Sequence, residues 1–281
     1  MKILVCGANG MLGQDLIKQL TAENHDIDAT DYGTLNICDL EQIIMRVKEF
    51  VPDMIINCAA HTNVDGCETD IDNAYRINAI GPKNLAIAAN MVYASLVHIS
   101  TDYIFDGETN RSYLEEDFPN PQSVYGKSKY FGEQNVKALT NKYFILRTQW
   151  LYGVGGKNFV KTMLNLAKNS LSLKVVNDQF GSPTYTADLA EVICRLIKTS
   201  AYGTYHVTNS GYCTWFQFTK DIMELAGIAI EINPCATEEF PRPAKRPKFS
   251  VLENLNLRLC GFREMRHYKD ALKYYLKEEG F

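Results

Sequence analysis

The sequence predicts an α/β fold, a doubly wound parallel sheet with a smaller C-terminal lobe. Three observations carry this. Short apolar runs alternate with longer amphipathic stretches over the first 150 residues. Most of those runs are apolar throughout rather than at every second position, as strands covered on both faces require. The first run also ends in a glycine-rich turn, "GANGMLG", that opens a helix.

"KILVCG" reads as the first strand, and Gly10 to Leu20 as a helix. "DIDATD" (26–31) is a weaker strand. "LEQIIMRVKEF" (40–50) has apolar positions at helical spacing. "MIINCAA" (54–60) is a strand and residues 74–92 a long helix. "SLVHIST" (95–101) is a strand, "YGKSKYFGEQNVKAL" a helix, and "YFILRT" (143–148) a strand. After Trp150 the pattern loosens. Residues 158–168 read as a helix, "LKVVND" as a strand, and 188–198 as a helix. Residues 233–252 carry four prolines and read as loop. The expected division is a dinucleotide-binding domain of 1–150 plus about 175–210, and a substrate-binding lobe of about 151–174 and 211–281. No internal repeat or low-complexity linker interrupts it.

At 281 residues the chain buries a large core in one big domain or two modest ones. A hydrophobic content of 46% and a charged content of 22% are those of an ordinary globular protein. The net charge of −4 and the lack of a long basic run argue against nucleic acid as a partner. The N-terminal apolar stretch is too short for a signal-peptide core or a membrane span. Eight scattered cysteines, with no metal spacing, read as free thiols in a reducing compartment, which points to the cytoplasm.

The glycines Gly7, Gly10 and Gly13 have separate physical tasks. One permits the tight turn, one lets backbone approach a pyrophosphate, and one lets helix pack close on strand. The helix start then offers free N–H groups and a positive dipole. Glycine spacing alone is equally a turn without a ligand; its place directly after the first strand favours a dinucleotide. Asp31 ends the second strand 18 residues beyond Gly13. A carboxylate there accepts hydrogen bonds from the adenosine ribose. No Arg or Lys lies between Asp28 and Arg46, so the expected cofactor is NADH or NADPH with NADH favoured.

"YGKSK" places Tyr125 and Lys129 four apart, on one face of a helix. With 16 tyrosines and 19 lysines in the chain, about one such pair arises by chance, so context decides. The strand before "HISTDYIFDG" delivers Thr101 to the sheet edge where ligands bind. A free phenol has a pKa near 10, and a nearby ammonium lowers it toward working pH. Tyr125 is then the expected proton donor to a carbonyl oxygen, Thr101 the hydroxyl that holds that oxygen, and Lys129 the grip on the nicotinamide ribose. Taken singly, Thr101 reads as a strand-end cap and Lys129 as a solvated residue.

The ordered set "GANGMLG", "NCAAHTNVD", "ISTDYIFDG", "YGKSK…GE", "LRTQWLYG", "NFVKTM", "VNDQFGSPT" and "RPAKRPKFSVL" resembles the dTDP-4-dehydrorhamnose reductase family, extended short-chain dehydrogenases/reductases with a Rossmann-type sheet. The resemblance spans residue 1 to about 252. It implies reduction of the 4-keto group of dTDP-4-dehydro-L-rhamnose to dTDP-L-rhamnose, so the expected partner is a nucleotide sugar. It implies catalytic roles for Tyr125, Lys129 and Thr101. It implies cofactor contacts at Gly10, Met11, Leu12, Asp31, Asp39, Leu40, Ala60, His61 and Thr62, with His61 a backbone contact rather than a base. It implies substrate contacts at Asp102, Trp150 and Arg246, the last facing the diphosphate. Trp150 equally suits a core aromatic, and Arg246 a surface loop. Cys58 and Gln149 stand where family members often have Ala, and Ser or Ala.

Some family members hold a divalent metal at a dimer contact. No compact carboxylate or histidine cluster appears here, so no metal is expected and a homodimer is left open. Dehydratases of the superfamily place Glu after Thr-Asp; Tyr103 stands there, which favours simple reduction. A reductase of another 4-keto-6-deoxy sugar, or a cofactor-binding regulatory subunit without turnover, are the rival readings.

Overall fold

The computed structural model describes residues 1–281. Six strands form the central sheet: β1 (Lys2–Cys6), β2 (Asp26–Thr30), β3 (Met54–Asn57), β4 (Ser95–Thr101), β5 (Tyr143–Thr148) and β6 (Gly203–His206). They lie in the order β6-β5-β4-β3-β1-β2, and every pairing is parallel. The order reverses between β1 and β3, so a crevice opens at the carboxyl ends of those two strands.

Helices cover both faces. On one, α1 (Met11–Ala22) and α6 (Thr186–Leu196) bury Leu12, Leu16, Leu189 and Ile193 against Ile3, Val5 and Val97. On the other, α2 (Leu40–Phe50) and α3 (Gly81–Met91) bury Ile43, Val47 and Leu85 against Leu4, Ile55 and Leu96. The two-sided burial explains the uniformly apolar runs. Next along the chain come α4 (Val124–Leu139) and α5 (Phe159–Asn169). A second core gathers Tyr152, Val160, Leu164, Leu173, Phe218 and Tyr275. It is built by α5, α7 (Trp215–Leu225), α8 (Tyr268–Glu278) and a parallel strand pair, Ser172–Val176 with Glu231–Cys235.

Three features depart from the sequence expectations. The long helix of 74–92 starts earlier, at Ile71–Tyr75, and reaches α3 through a π-turn, Arg76–Ile80. Pro82, which has no N–H, follows that turn, and a widened turn lets the helix carry proline near its middle. Within the proline-rich 233–252, Glu231–Cys235 still forms a strand, because Pro234 lies in a two-stranded pair where no further ladder needs its N–H. β6 and the helices α7 and α8 were not distinguished by their residue pattern.

Candidate active site

The glycine turn forms a cradle at the end of β1. Gly7 has φ +80°, and a Cβ there would stand 2.7 Å from the backbone nitrogen of Ala59 on the β3 side. A Cβ at Gly13 would run into the carbonyls of Gly7 and Ala8, so only glycine lets α1 sit this close to β1. No side chain caps the start of α1, which leaves its first N–H groups to a ligand. Beside it lies a cavity of about 450 Å³ lined by Gly7, Gly10, Asp31, Ile37, Cys58 and Ala60, among others.

Asp31 is held at this cavity by backbone donors: Asn9 N–H to Oδ2 at 3.1 Å and Tyr32 N–H to Oδ1 at 2.7 Å. Arg46 is bound in a fork to Asp28, at 2.6 and 2.5 Å. Arg76 stands at this end of the crevice, its carbonyl accepting from the Cys38 thiol of the cavity wall at 3.4 Å. Ala60 lines the cavity, and His61 is fixed by Asn78, which accepts its N–H at 2.8 Å and donates to its carbonyl at 3.1 Å. Thr62 is exposed.

Other expected cofactor residues sit differently. Asp39 caps α2, accepting from the backbone and side-chain nitrogens of Gln42 at 3.1 and 2.8 Å. Neither it nor Leu40 lines the cavity. Leu12 is buried in the core under β1, so only its backbone N–H faces outward. Met11 lies against Gly156, in the loop before α5.

Thr101 ends β4, and Tyr125 stands in the first turn of α4. Ser123 caps that helix, its hydroxyl accepting the Gly126 N–H at 3.1 Å. The glycine inside "YGKSK" has a steric cause: a Cβ at 126 would overlap the Tyr103 carbonyl, and its absence brings α4 onto the turn that follows β4. Further along, Glu133 pins α4 to the sheet from a fully buried position. It binds Arg147 of β5 at 3.0 and 2.9 Å and accepts the Ser100 hydroxyl at 2.6 Å. Burial pushes its carboxyl up, but Arg147 and Ser100 hold it below the usual range.

The Tyr125 phenol is thus buried near the Thr101 hydroxyl, with the Tyr103 ring edge-on at 5.4 Å. Burial raises its pKa above the ordinary tyrosine value, with Thr101 opposing and Asp102 and Tyr103 adding to the rise. The expectation that Lys129 lowers it is not met. The Lys129 ammonium donates to the Ile99 carbonyl of β4 instead, and burial outweighs any cation at the phenol. Burial also lowers Lys129 itself to about 8, against the pull of Glu133 and Cys58. The phenol therefore stands neutral, loaded with the proton a donor needs. Asp102, 2% exposed, accepts the Thr101 hydroxyl at 2.9 Å; burial pushes its carboxyl up to about 6, and Oδ2 has no partner.

Trp150 has a left-handed backbone, φ +49°. Its indole stacks on Trp215 at 3.4 Å and 11°, with Phe159 against Trp215. It is thus a packed aromatic joining β5's end to α7. Arg246 was expected to face a diphosphate. Its two terminal nitrogens are instead committed to Asp65 at 2.6 and 2.9 Å, tying the proline-rich segment to the loop after β3. Burial raises the Asp65 carboxyl, but Arg246 and the Ala244 N–H hold it below the usual range. Sequence reasoning missed Asp65, Asn78 and Trp215. Pro82, four residues beyond Asn78, was the one local signal for the last turn to hold His61.

The chain matches the family model described as the RmlD substrate binding domain over residues 1–280. It is 43% identical to the spore coat polysaccharide biosynthesis protein SpsK of Bacillus subtilis, covering 99% of this chain and 97% of that protein. It is similar to the crystal structure of a dTDP-4-dehydrorhamnose reductase from Clostridium acetobutylicum, with a TM-score of 0.98, 52% identity and full coverage of both chains. The Bacillus anthracis dTDP-4-dehydrorhamnose reductase, solved in complex with NADP, gives a TM-score of 0.97 and 48% identity over 99% of each chain.

Proposed function

The chain belongs to the RmlD substrate binding domain family, that of the dTDP-4-dehydrorhamnose reductases, and on that footing we propose how its residues perform the reaction. It reduces the 4-keto group of dTDP-4-dehydro-L-rhamnose to give dTDP-L-rhamnose, with a nicotinamide dinucleotide as cofactor. The observation that carries the reading is the meeting of Thr101 and a buried Tyr125 at the sheet edge next to the glycine cradle. The bound nicotinamide dinucleotide supplies the hydride to the carbonyl carbon.

The residues do the rest. Gly7, Gly10 and Gly13, with the start of α1, hold the pyrophosphate. Asp31 takes the adenosine ribose, and with Arg46 engaged by Asp28 this favours NADH; for NADPH, Arg76 is the cation that would receive a 2′-phosphate. Ala60 and His61 border the cofactor through backbone. Lys129, poised near 8, grips the nicotinamide ribose. Tyr125 gives its proton to the sugar O4 while the Thr101 hydroxyl orients that oxygen. Trp150 walls the sugar site. The Arg246–Asp65 pair fixes the segment that closes over it. Residues 1–150 with about 175–210 hold the cofactor, and about 151–174 with 211–281 form the substrate lobe.

Tyr125→Phe removes only the donated proton. Turnover should fall by about 10²–10⁴-fold, while dinucleotide affinity, measured by fluorescence titration, stays near wild type. Unchanged turnover in this variant refutes the mechanism.

A further inference from the structure

The turn that cradles the dinucleotide is tied to the other half of the chain by one side chain. Gln14 stands on α1, one helical turn beyond Gly10, and is exposed, so it has no part in the core. Its amide nitrogen donates twice: to the Asn9 carbonyl at 2.7 Å, and to the Gly155 carbonyl at 3.1 Å, 141 residues away. Both partners only accept, so the NH2 end of the amide, with its two protons, is the end that fits between them. Asn9 in turn donates its N–H to Asp31 at 3.1 Å. An unbroken run of hydrogen bonds therefore leads from the proposed ribose carboxylate, through the glycine turn, to the loop 153–157 of the substrate lobe.

That loop is shaped to meet α1. Three successive carbonyls in it are held by side chains. Asn158 donates to that of Gly153 at 2.8 Å and Lys161 to that of Val154 at 2.7 Å, both from the start of α5. The third, that of Gly155, is held from outside the lobe, by Gln14. The two glycines at the contact make room for α1: a Cβ at Gly155 would stand 2.6 Å from Gln14 Oε1, and one at Gly156 would stand 2.8 Å from Met11 Cγ. Upstream the loop joins Leu151–Tyr152 and Trp150, the proposed wall of the sugar site. Downstream Asn158 caps α5, accepting the Lys161 N–H at 3.0 Å.

We propose that Gln14 is a positioning residue that couples the two ligand sites: dinucleotide at the glycine turn fixes the Asn9 carbonyl, Gln14 passes that order to the Gly155 loop, and the site behind the loop then binds its nucleotide sugar more tightly. The proposal rests on the reductase reading and its division into two lobes. Ordering turn and loop together costs conformational entropy. The first ligand bears that cost, so the second finds the contact already formed. The coupling is reciprocal, and the sugar must tighten the dinucleotide by the same factor.

The test uses NADH and dTDP-L-rhamnose, both reduced, so that no hydride can pass between them. Each is titrated calorimetrically, alone and in the presence of the other. In the wild type NADH should tighten dTDP-L-rhamnose binding by about tenfold, and the sugar should tighten NADH equally. Gln14→Ala removes the bridge from the cofactor side. Gly155→Ala removes it from the other side, by driving a methyl group into the Gln14 amide. Each variant should lower the coupling to about twofold or less while binding dTDP-L-rhamnose alone as the wild type does, and the double variant should lose no more than either single one. Coupling kept in both variants, losses that add in the double variant, or independent binding of the two ligands in the wild type overturns the proposal. A second readout needs no sugar: NADH should slow amide hydrogen exchange over 153–158 in the wild type, and leave it unchanged in Gln14→Ala protein saturated with NADH. Equal slowing in both overturns the coupling even if the wild type binds no sugar, a result that would separately refute the reductase reading.

Discussion

At the scale of single residues, the side-chain types were legible and the partnerships were not. Tyr125, Lys129 and Thr101 stand out because the proposed proton transfer needs those side-chain types and the helix spacing brings two of them to one face. What each touches depends on distant chain. The Arg246–Asp65 pair joins residues 181 apart, and no local pattern encodes it. The same holds for the burial that lifts Tyr125 and lowers Lys129, which came from β4 and α4 closing together. The pair yields a prediction. Arg246→Ala leaves Asp65 without its fork and frees the segment around Ala244, so the sugar KM should rise by about tenfold with dinucleotide affinity unchanged. Arg246→Lys should restore only part, because an ammonium cannot bind both oxygens in the planar fork. Steady-state kinetics with sugar and cofactor varied in turn checks this; an unchanged KM in both variants shows that the Arg246–Asp65 pair does not shape the sugar site.

Among elements, strands β1, β3, β4 and β5 could be read because burial on both faces makes their sequences largely apolar, whereas β2, "DIDAT", is a half-exposed edge strand and reads weakly. β6 could not, since "GTYH" carries two residues of half-exposed character and lies at the sheet's edge against β5 alone. The π-turn before α3 escaped because helical periodicity continues across it, and only Pro82 marks the widening. The turn between β1 and α1 shows the opposite case, where residue identity and packing agree. Gly13 is there because any side chain would meet the Gly7 and Ala8 carbonyls. Gly13→Ala should push α1 off β1, destabilise by about 1–3 kcal/mol, and weaken dinucleotide binding by at least tenfold as the N–H groups of the helix start move off their target. Thermal unfolding and a cofactor titration measure both. A variant that melts with wild type and binds cofactor normally shows that the close approach is not what builds the cradle.

For the whole molecule, a parallel sheet and its cofactor crevice followed from the sequence because the alternation of strand and helix, with a glycine turn at the first crossing, leaves few topologies open. The C-terminal half was harder. Its core is assembled from helices and short strands taken from separated stretches, α5, α7 and α8 with the pair Ser172–Val176 and Glu231–Cys235, so no continuous pattern announces it. The two halves meet where Trp150 stacks on Trp215 and Arg246 reaches Asp65. The most direct measurement is the absorbance of reduced nicotinamide with purified protein, NADH or NADPH, and freshly prepared dTDP-4-dehydro-L-rhamnose. A decay that needs both protein and sugar is expected, faster with NADH if Asp31, which lines the cavity, takes the ribose as proposed. A flat trace with both cofactors, from protein that still binds NADH, would contradict it.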